Sequence, residues 1–394
     1  MKIAIIGSGI AGLSAAHVLA RSHDVEVLEA NGYAGGHTNT VDVGGRAIDT
    51  GFIVHNEQNY PLLSRLFREL GVRTQPTVMS FAMTCGCGVE WSSRRPWRAG
   101  RLLGEILRFL RTAGDADVEG KDFDRFLRDE GYSDAFRRHY LVPMTSALWS
   151  TAPDDALAFP AAFGIQFFRN HGMLGLRRHR WRTVVGGSRE YVRALVARLP
   201  SPVETSRPVR AVVREGDGVA IRLADGESRH YDAAVVATHA PTALALLERP
   251  TDDERRLLGA FAVTENEAVL HWDERLLPAR PGDRSAWNHA SIRCGDGPAL
   301  PTVTYSMNRL QSFDADREWC VTLNRTSEID PAKIAQVIRY DHPRMTFAAL
   351  AVQQRIRRLD VDRLAFAGAW QAYGFHEDGI RSGVAAAASL GVRW

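Results

Sequence analysis

Apolar residues enter the chain as an unbroken run, Ile3-Ala4-Ile5-Ile6, the pattern of a strand buried on both faces of a parallel sheet. A glycine cluster follows, Gly7-Ser8-Gly9-Ile10-Ala11-Gly12, then the helix-favouring LSAAHVLA and a second strand-like run, DVEVLEA. The period then changes. Leu62, Leu63, Leu66, Phe67 and Leu70 line one face of a helix predicted over 56–71, with Asn59 as its N-cap, Pro61 in the first turn and Gly71 as its stop. From about 80 to 180 the pattern is helical, aromatic and rich in arginine. Val-Val-Gly-Gly-Ser-Arg then leads into a helical stretch carrying Val192, Leu195, Val196 and Leu199. Residues 203–237 alternate as a β-meander and end in the buried run YDAAVVATHAP. Residues 261–325 read as strand-rich, with a surface loop at 278–289, and 343–358 as helical. The last segment, 363–394, reads as a strand (LAFAGAW), a loop and the helix IRSGVAAAASL.

The glycine cluster has a chemical reading. Gly7 permits a tight turn, Gly9 lets backbone approach a pyrophosphate, and Gly12 lets helix and strand pack closely. Ile10 and Ala11 open the helix, whose free N–H groups and positive dipole end suit phosphate. Glu29 ends the second strand about 20 positions on, where a ribose hydroxyl is bound, and an acid there disfavours a 2′-phosphate. The chain has no second GxGxxG, so a separate NAD(P)H domain is not expected.

Composition narrows the class. With 394 residues, 45% hydrophobic and 24% charged, and a net charge of +3, the chain reads as a soluble globular protein of two or three domains. Four cysteines (Cys85, Cys87, Cys294, Cys320) are too few for a disulfide framework and lack paired zinc-ligand spacing, so no metal site is expected. Cys85-Gly-Cys87 reads as incidental thiols rather than a redox pair. The N-terminus lacks a cleavage site and no apolar stretch approaches the roughly 20 residues of a membrane span; a cytoplasmic protein is expected. Only three of the 49 basic residues are lysines: Lys2, Lys121 and Lys333.

Past Glu29 the chain reads Ala30-Asn31-Gly32-Tyr33-Ala34-Gly35-Gly36-His37-Thr38. This resembles the second glycine motif of glutathione-reductase-like FAD proteins, in the branch of amine oxidases and phytoene desaturases. The plain alternative is a loop with three glycines. The resemblance implies FAD, with Ala30, Gly35, Gly36 and His37 near the ribityl phosphate and Val209 at the start of the meander among the contacts. FAGAWQAYGFHEDGIRSG, residues 366–383, resembles the branch's final flavin motif, which implies contacts from Gly368, Glu377, Asp378, Gly379 and Ile380. Asp378-Gly379 would open a helix whose N-terminus stabilises charge on the reduced flavin; the plain alternative is an Asp-capped helix. The fold class implied is α/β, a discontinuous glutathione-reductase-like FAD-binding Rossmann domain (1–80, 181–240 and 341–394) with an α+β substrate domain (81–180 and 241–340).

The strings HNEQNYPLLSRLFRELGV, VVGGSREYV, TYSMNRLQ and AGAWQAYGFHEDGIRSG together resemble a bacterial family of FAD-dependent oxidoreductases labelled amine-oxidase-like. At 271–290 the chain departs from that pattern, reading HWDERLLP and SAWNHAS. Members tend to be encoded beside cyclopropane-fatty-acid-synthase-like methyltransferases, which implies a methylated or unsaturated fatty-acyl or lipid substrate.

Many amine oxidases of this fold hold a water near the flavin with a lysine, and none of the three lysines falls in a flavin-facing motif. No cysteine follows Cys320, so FAD is expected to be non-covalent, a histidyl link through His37 or His376 being the alternative. Dehydrogenation needs a base within about 3 Å of the departing proton. His376 and Glu377, expected in the loop before the last helix, are the catalytic candidates, with a structural His376 and a ribityl-binding Glu377 as alternatives. Tyr373, with Trp370 and Tyr305, is expected to line the substrate tunnel. Residues 92–111 carry six arginines (94, 95, 98, 101, 108, 111) with Trp97 and LLGEILRFL, and 169–182 carry five (169, 177, 178, 180, 182) with Trp181. These read as peripheral contacts with the anionic inner face of a membrane or with an acyl carrier, or else as a solvated face; no nucleic-acid motif accompanies them. Amine oxidation and flavin-dependent double-bond isomerisation are the rival activities. Nothing in the sequence sets the oligomeric state.

Overall fold

The structure, a computed structural model, describes residues 1–175, 179–291, 294, 302–361 and 363–394. Its first module is a four-stranded sheet in the order Leu364–Phe366, Ala233–Val236, Lys2–Ile6, Asp24–Leu28, with every neighbouring pair parallel. Alternate side chains divide between two faces, as strand geometry requires. Ile3, Ile5, Val25, Val27, Ala233 and Val235 meet the first helix (Ile10–Leu19) and the last helix (His376–Ser389). Ala4, Ile6, Leu28, Ala234, Val236 and Phe366 face a second core that includes Val212, Ile221 and Tyr231 of the meander. The meander is the three-stranded antiparallel sheet expected: Val209–Glu215, Gly218–Leu223 and Ser228–Tyr231. Residues 240–261 join that second core through Ala240, Ala243, Leu257, Leu258 and Phe261.

A seven-stranded sheet runs in the order Ile334–Arg344, Ala262–His271, Cys320–Leu323, Val303–Ser306, Trp287–Ser291, Phe81–Cys85, Glu90–Ser92. Beside it lies a helical layer including Leu102–Thr112, Phe123–Asp129, Val142–Trp149 and Ala161–Asn170, built on an aromatic core of Phe109, Phe123, Phe126, Phe136, Tyr140 and Trp149.

Several expectations are corrected. The segment after 80 opens not as helix but as the hairpin Phe81–Cys85 and Glu90–Ser92. The helix expected at 343–358 is shorter, Phe347–Gln353, because the strand Ile334–Arg344 occupies the residues before it; that strand also crosses position 340. The loop expected at 278–289 gives way to the strand Trp287–Ser291 and buries Asp283 and Ser285. The last helix starts at His376, ahead of Asp378, so His376 and Glu377 belong to its first turn rather than to a loop. The apolar face of Leu102–Thr112 packs inward through Leu102, Ile106 and Phe109, while Trp97 and Leu107 remain exposed. Arg177 and Arg178 lie outside the described residues. No helix among the described residues is long and apolar enough to cross a membrane.

Candidate functional site

The residues singled out by sequence gather at the carboxyl ends of the four parallel strands, the edge where open α/β sheets bind ligands. The three glycines of the first motif owe their identity to different causes. Gly7 has φ +100°, and a Cβ there would stand 2.8 Å from the Ala237 carbonyl oxygen. A Cβ at Gly12 would lie 1.9 Å from the Gly7 oxygen, so Gly12 serves helix–strand packing. Gly9 is different: its φ is −65°, open to any residue, and a Cβ would meet nothing within 4 Å. Neither backbone nor neighbours explain this glycine; a phosphate lying close to the backbone would. The helix behind it has no side-chain cap and no acid in its first turn, which leaves its amides free for phosphate. The second glycine pair closes over the first. Gly35 N–H donates to the Ser8 carbonyl at 3.0 Å, and a Cβ on Gly36, at φ +58°, would come within 3.0 Å of the Gly9 Cα.

Glu29 is buried and faces this loop. Its Oε2 accepts from Ser8 N and Ser8 Oγ (2.8 and 2.6 Å), its Oε1 from Asn31 N and Asn31 Nδ2 (2.8 and 3.0 Å). A carboxylate offers about four lone-pair sites, and here Ser8 and Asn31 fill them, so a ribose diol at Glu29 would have to replace a side-chain donor, Ser8 Oγ or Asn31 Nδ2. Ala30 is exposed on the same edge. The segment leading to Val209 runs alongside, with Arg207 N donating to the Glu29 carbonyl and Ser206 N to that of Asn31, both at 2.8 Å. These residues fit a dinucleotide.

The C-terminal motif does mostly packing. A Cβ on Gly379 would fall 2.6 Å from Ile10 Cγ2, and one on Gly383 would fall 2.2 Å from the Ala11 oxygen, so these glycines let the last helix lie against the first. Ile380 is fully buried with Ile10. Gly368 clears room for the Trp370 indole and donates its N–H to Ser382 Oγ at 2.8 Å. Asp378 caps its own helix, accepting the Phe375 N–H at 3.0 Å, and burial raises its carboxyl to about 6. Glu377 caps a different helix, Pro61–Leu70, whose N-cap is Tyr60 and not Asn59 and supplies no side-chain acceptor. Its oxygens accept the Leu62 and Leu63 N–H groups at 3.0 Å each, and burial raises its carboxyl to about 7.

His376 stacks on Phe52 with ring centroids 3.8 Å apart, and its Nε2 lies 2.9 Å from both Thr38 Oγ1 and Tyr191 OH. Burial pushes its pKa down to about 3, aided by His37 and His55. His37 belongs to a cluster with His239 and His342, ring centroids 5.9 and 5.4 Å away, and stacks on Tyr340 at 5.1 Å. Burial, then mutual repulsion, lowers His37 to about 4 and His342 to about 3; burial also lowers His239. The cluster is uncharged at neutral pH. Sequence reasoning assigned no role to Thr38, Tyr191, His239 or His342. His239 follows the buried strand Ala233–Val236 at its carboxyl end, a position that itself signals the ligand edge.

Tyr373 lines a cavity of about 350 Å³ with Tyr60, Phe167, Phe375, Glu377 and Arg381. Its ring packs on Phe163 at 4.5 Å. Trp370 does not line that cavity: it is buried, packs on Phe261 and donates to the Thr238 carbonyl at 3.0 Å. Tyr305 stands against Trp287 in the large sheet. All three lysines are in ion pairs elsewhere: Lys2 with Glu26, Lys121 with Asp117 and Asp129, Lys333 with Asp273. Lys333 is nine residues, about 30 Å of extended strand, from His342.

Known proteins agree with this geometry. The sequence profile of the flavin containing amine oxidoreductases matches residues 10–390. A Mycobacterium tuberculosis protein named as a flavin-containing monoamine oxidase, AofH, is 27% identical over 263 residues, 58% of this chain and 55% of that protein; the chain thus matches about half the length of that relative. The fold is shared with cyclohexylamine oxidase from Brevibacterium oxydans (TM-score 0.70, 16% identity, 99% of this chain and 98% of the other). It is also shared with a CLA-producing fatty acid isomerase from P. acnes (TM-score 0.65, 17% identity, 97% and 96%). The chain belongs to the flavin containing amine oxidoreductases, a family of flavin-dependent enzymes.

Proposed function

We propose that the protein is an FAD-dependent oxidoreductase acting on a hydrophobic substrate, an unsaturated or methylated fatty-acyl chain, with FAD held non-covalently. The observation that carries this reading is the aromatic part of the cavity wall, Tyr60, Phe167, Tyr373 and Phe375, which suits an apolar chain, while Glu377, Asp378 and Arg381 on the same cavity offer charged contacts to a polar end. The ion pairs that occupy all three lysines support it by removing the lysine that amine oxidases of this fold use.

Bound flavin supplies the hydride acceptor. The protein's own groups do the rest. The aromatic wall holds the acyl chain and excludes water. Glu377, on the cavity and with its carboxyl raised to about 7, takes the proton that leaves with the hydride, since a base works best with a pKa near working pH. The two amides of Leu62 and Leu63 fix the direction of its carboxylate. His376, at about 3, is too weak a base for this step; with Thr38 and Tyr191 it holds the second glycine loop against the last helix.

The test is anaerobic absorbance of the purified holoprotein. Bleaching by unsaturated or methyl-branched acyl lipids, and not by polyamines or aromatic amines, is the expected result. Bleaching by amines alone overturns the substrate class. A rearranged lipid with the flavin oxidised at the end overturns net oxidation in favour of isomerisation.

A further inference from the structure

The spacing of the cysteines offers no metal site, yet the fold assembles one outside the flavin edge. Cys85 ends the strand Phe81–Cys85, and Cys87 sits in the turn that follows. Gly88 N–H donates to the Cys85 carbonyl at 2.9 Å and Gly86 N–H to the Ser291 carbonyl at 3.0 Å, which ties the turn to the strand that leads to Cys294. His139 comes from the helical layer, in the π-helical turn Arg137–Leu141, a distortion frequent at functional sites. Its carbonyl accepts the Trp91 indole N–H at 2.8 Å, which fixes that turn over the hairpin.

The four side chains converge. His139 Nε2 lies 3.4 Å from both Cys87 Sγ and Cys294 Sγ, and the ligand atoms of Cys85, Cys87, His139 and Cys294 all lie within 4.8 Å of one another. Zinc bonds of about 2.3 Å to sulfur and 2.0 Å to nitrogen place tetrahedral neighbours roughly 3.6–3.8 Å apart, so small side-chain movements complete the geometry. The remaining cysteine, Cys320, is buried in a separate strand.

We propose that Cys85, Cys87, His139 and Cys294 bind one zinc ion in a closed structural site. Three thiolates and one imidazole are a zinc donor set, and four protein ligands leave no open position for catalysis. The ion pins the hairpin, the helical layer and the segment at 294 to one another, joining stretches 52 and 155 residues apart in sequence.

The experiment is metal analysis of the full-length flavoprotein, purified without a metal-binding tag and compared with Cys87→Ser and Cys294→Ser. About one zinc per chain is expected in the native protein and close to none in the variants, with flavin absorbance confirming that they fold. If a variant fails to fold, the native protein still decides: its three site thiols should resist alkylation until a strong chelator removes the metal. That removal should lower Tm by on the order of 5 °C or more. A native protein without zinc, zinc content unchanged in both folded variants, or a disulfide among Cys85, Cys87 and Cys294 overturns the proposal.

Discussion

Glu377 Oε2 accepts the Leu63 N–H at 3.0 Å across 314 residues of sequence, while its Oε1 takes the Leu62 N–H at the same distance. One carboxylate therefore satisfies two amides of a helix that has no side-chain cap of its own, and it does so on the wall of the cavity. Burial holds its carboxyl near 7, so the base form builds up as pH rises through neutrality. Turnover (kcat/KM) is expected to climb with pH across that range. Glu377→Gln, which still offers an oxygen to an amide, should keep its flavin, lose the pH dependence and lower kcat by roughly 10²–10⁴. Glu377→Ala leaves both amides unpaired and should cost about 1–3 kcal/mol of stability for each, read by denaturant unfolding.

Gly9 and Gly12 separate binding from folding. A Cβ at Gly9 meets nothing in the protein and its backbone angle is ordinary, so Gly9→Ala should leave the Tm of the apoprotein within about 1–2 °C, since surface changes cost under about 0.5 kcal/mol. The same methyl group would occupy the phosphate approach, and flavin affinity should fall tenfold or more, on the order of 1.4 kcal/mol. Gly12→Ala puts a Cβ 1.9 Å from the Gly7 oxygen and should lower apoprotein stability as well. Flavin titration beside apoprotein melting reads both; equal apoprotein losses in the two variants would sink the distinction.

What was legible in the sequence was what local patterning decides. The run Ile3–Ile6, the glycine turn, Glu29 and the meander need only neighbours in sequence, and each took its expected place. The strand Ile334–Arg344 escaped because it does not alternate cleanly and contains Pro343, which marks an edge. It is indeed the edge strand of the large sheet, held there by its antiparallel pairing along Ala262–His271. That pairing brings His342 to His37, and no window of sequence contains both. The role of Glu377 was hidden for the same reason: its partners, Leu62 and Leu63, lie in another helix. The packing of Gly379 against Ile10 was hidden too, because motif position cannot tell a glycine that clears a ligand from one that clears a neighbouring helix.

The histidines at the flavin edge give a signed dependence of stability on pH. His37, His342 and His376 have folded pKa values near 4, 3 and 3, lowered by burial, against about 6.5 in the unfolded chain. Between these limits the unfolded state binds more protons, so stability is complete above about pH 6.5 and is lost as pH falls toward 4. Asp49 and Asp378, raised by burial to about 6, and Glu377, raised to about 7, act in the opposite sense, favouring the folded state as pH falls. The histidines shift further, so Tm should drop on acidification from pH 6.5 to 4. His342→Gln should flatten that decline; a variant as acid-sensitive as the native protein would show that the cluster is not its source.

The attachment of the flavin can be argued from the groups able to bond to it. The Nε2 atom of His37 is engaged with the Asp341 carbonyl at 3.0 Å, and that of His376 with Thr38 and Tyr191, so one of the two ring nitrogens of each histidine is held by protein hydrogen bonds. Cys320 is buried within its strand, and the other three cysteines gather around His139. Non-covalent FAD is the expected outcome. Denaturing the holoprotein in acid or by heat and filtering it should carry all the yellow absorbance into the filtrate. Colour retained on the precipitated chain would mean a covalent bond, and peptide mapping of His37 and His376 would then locate it.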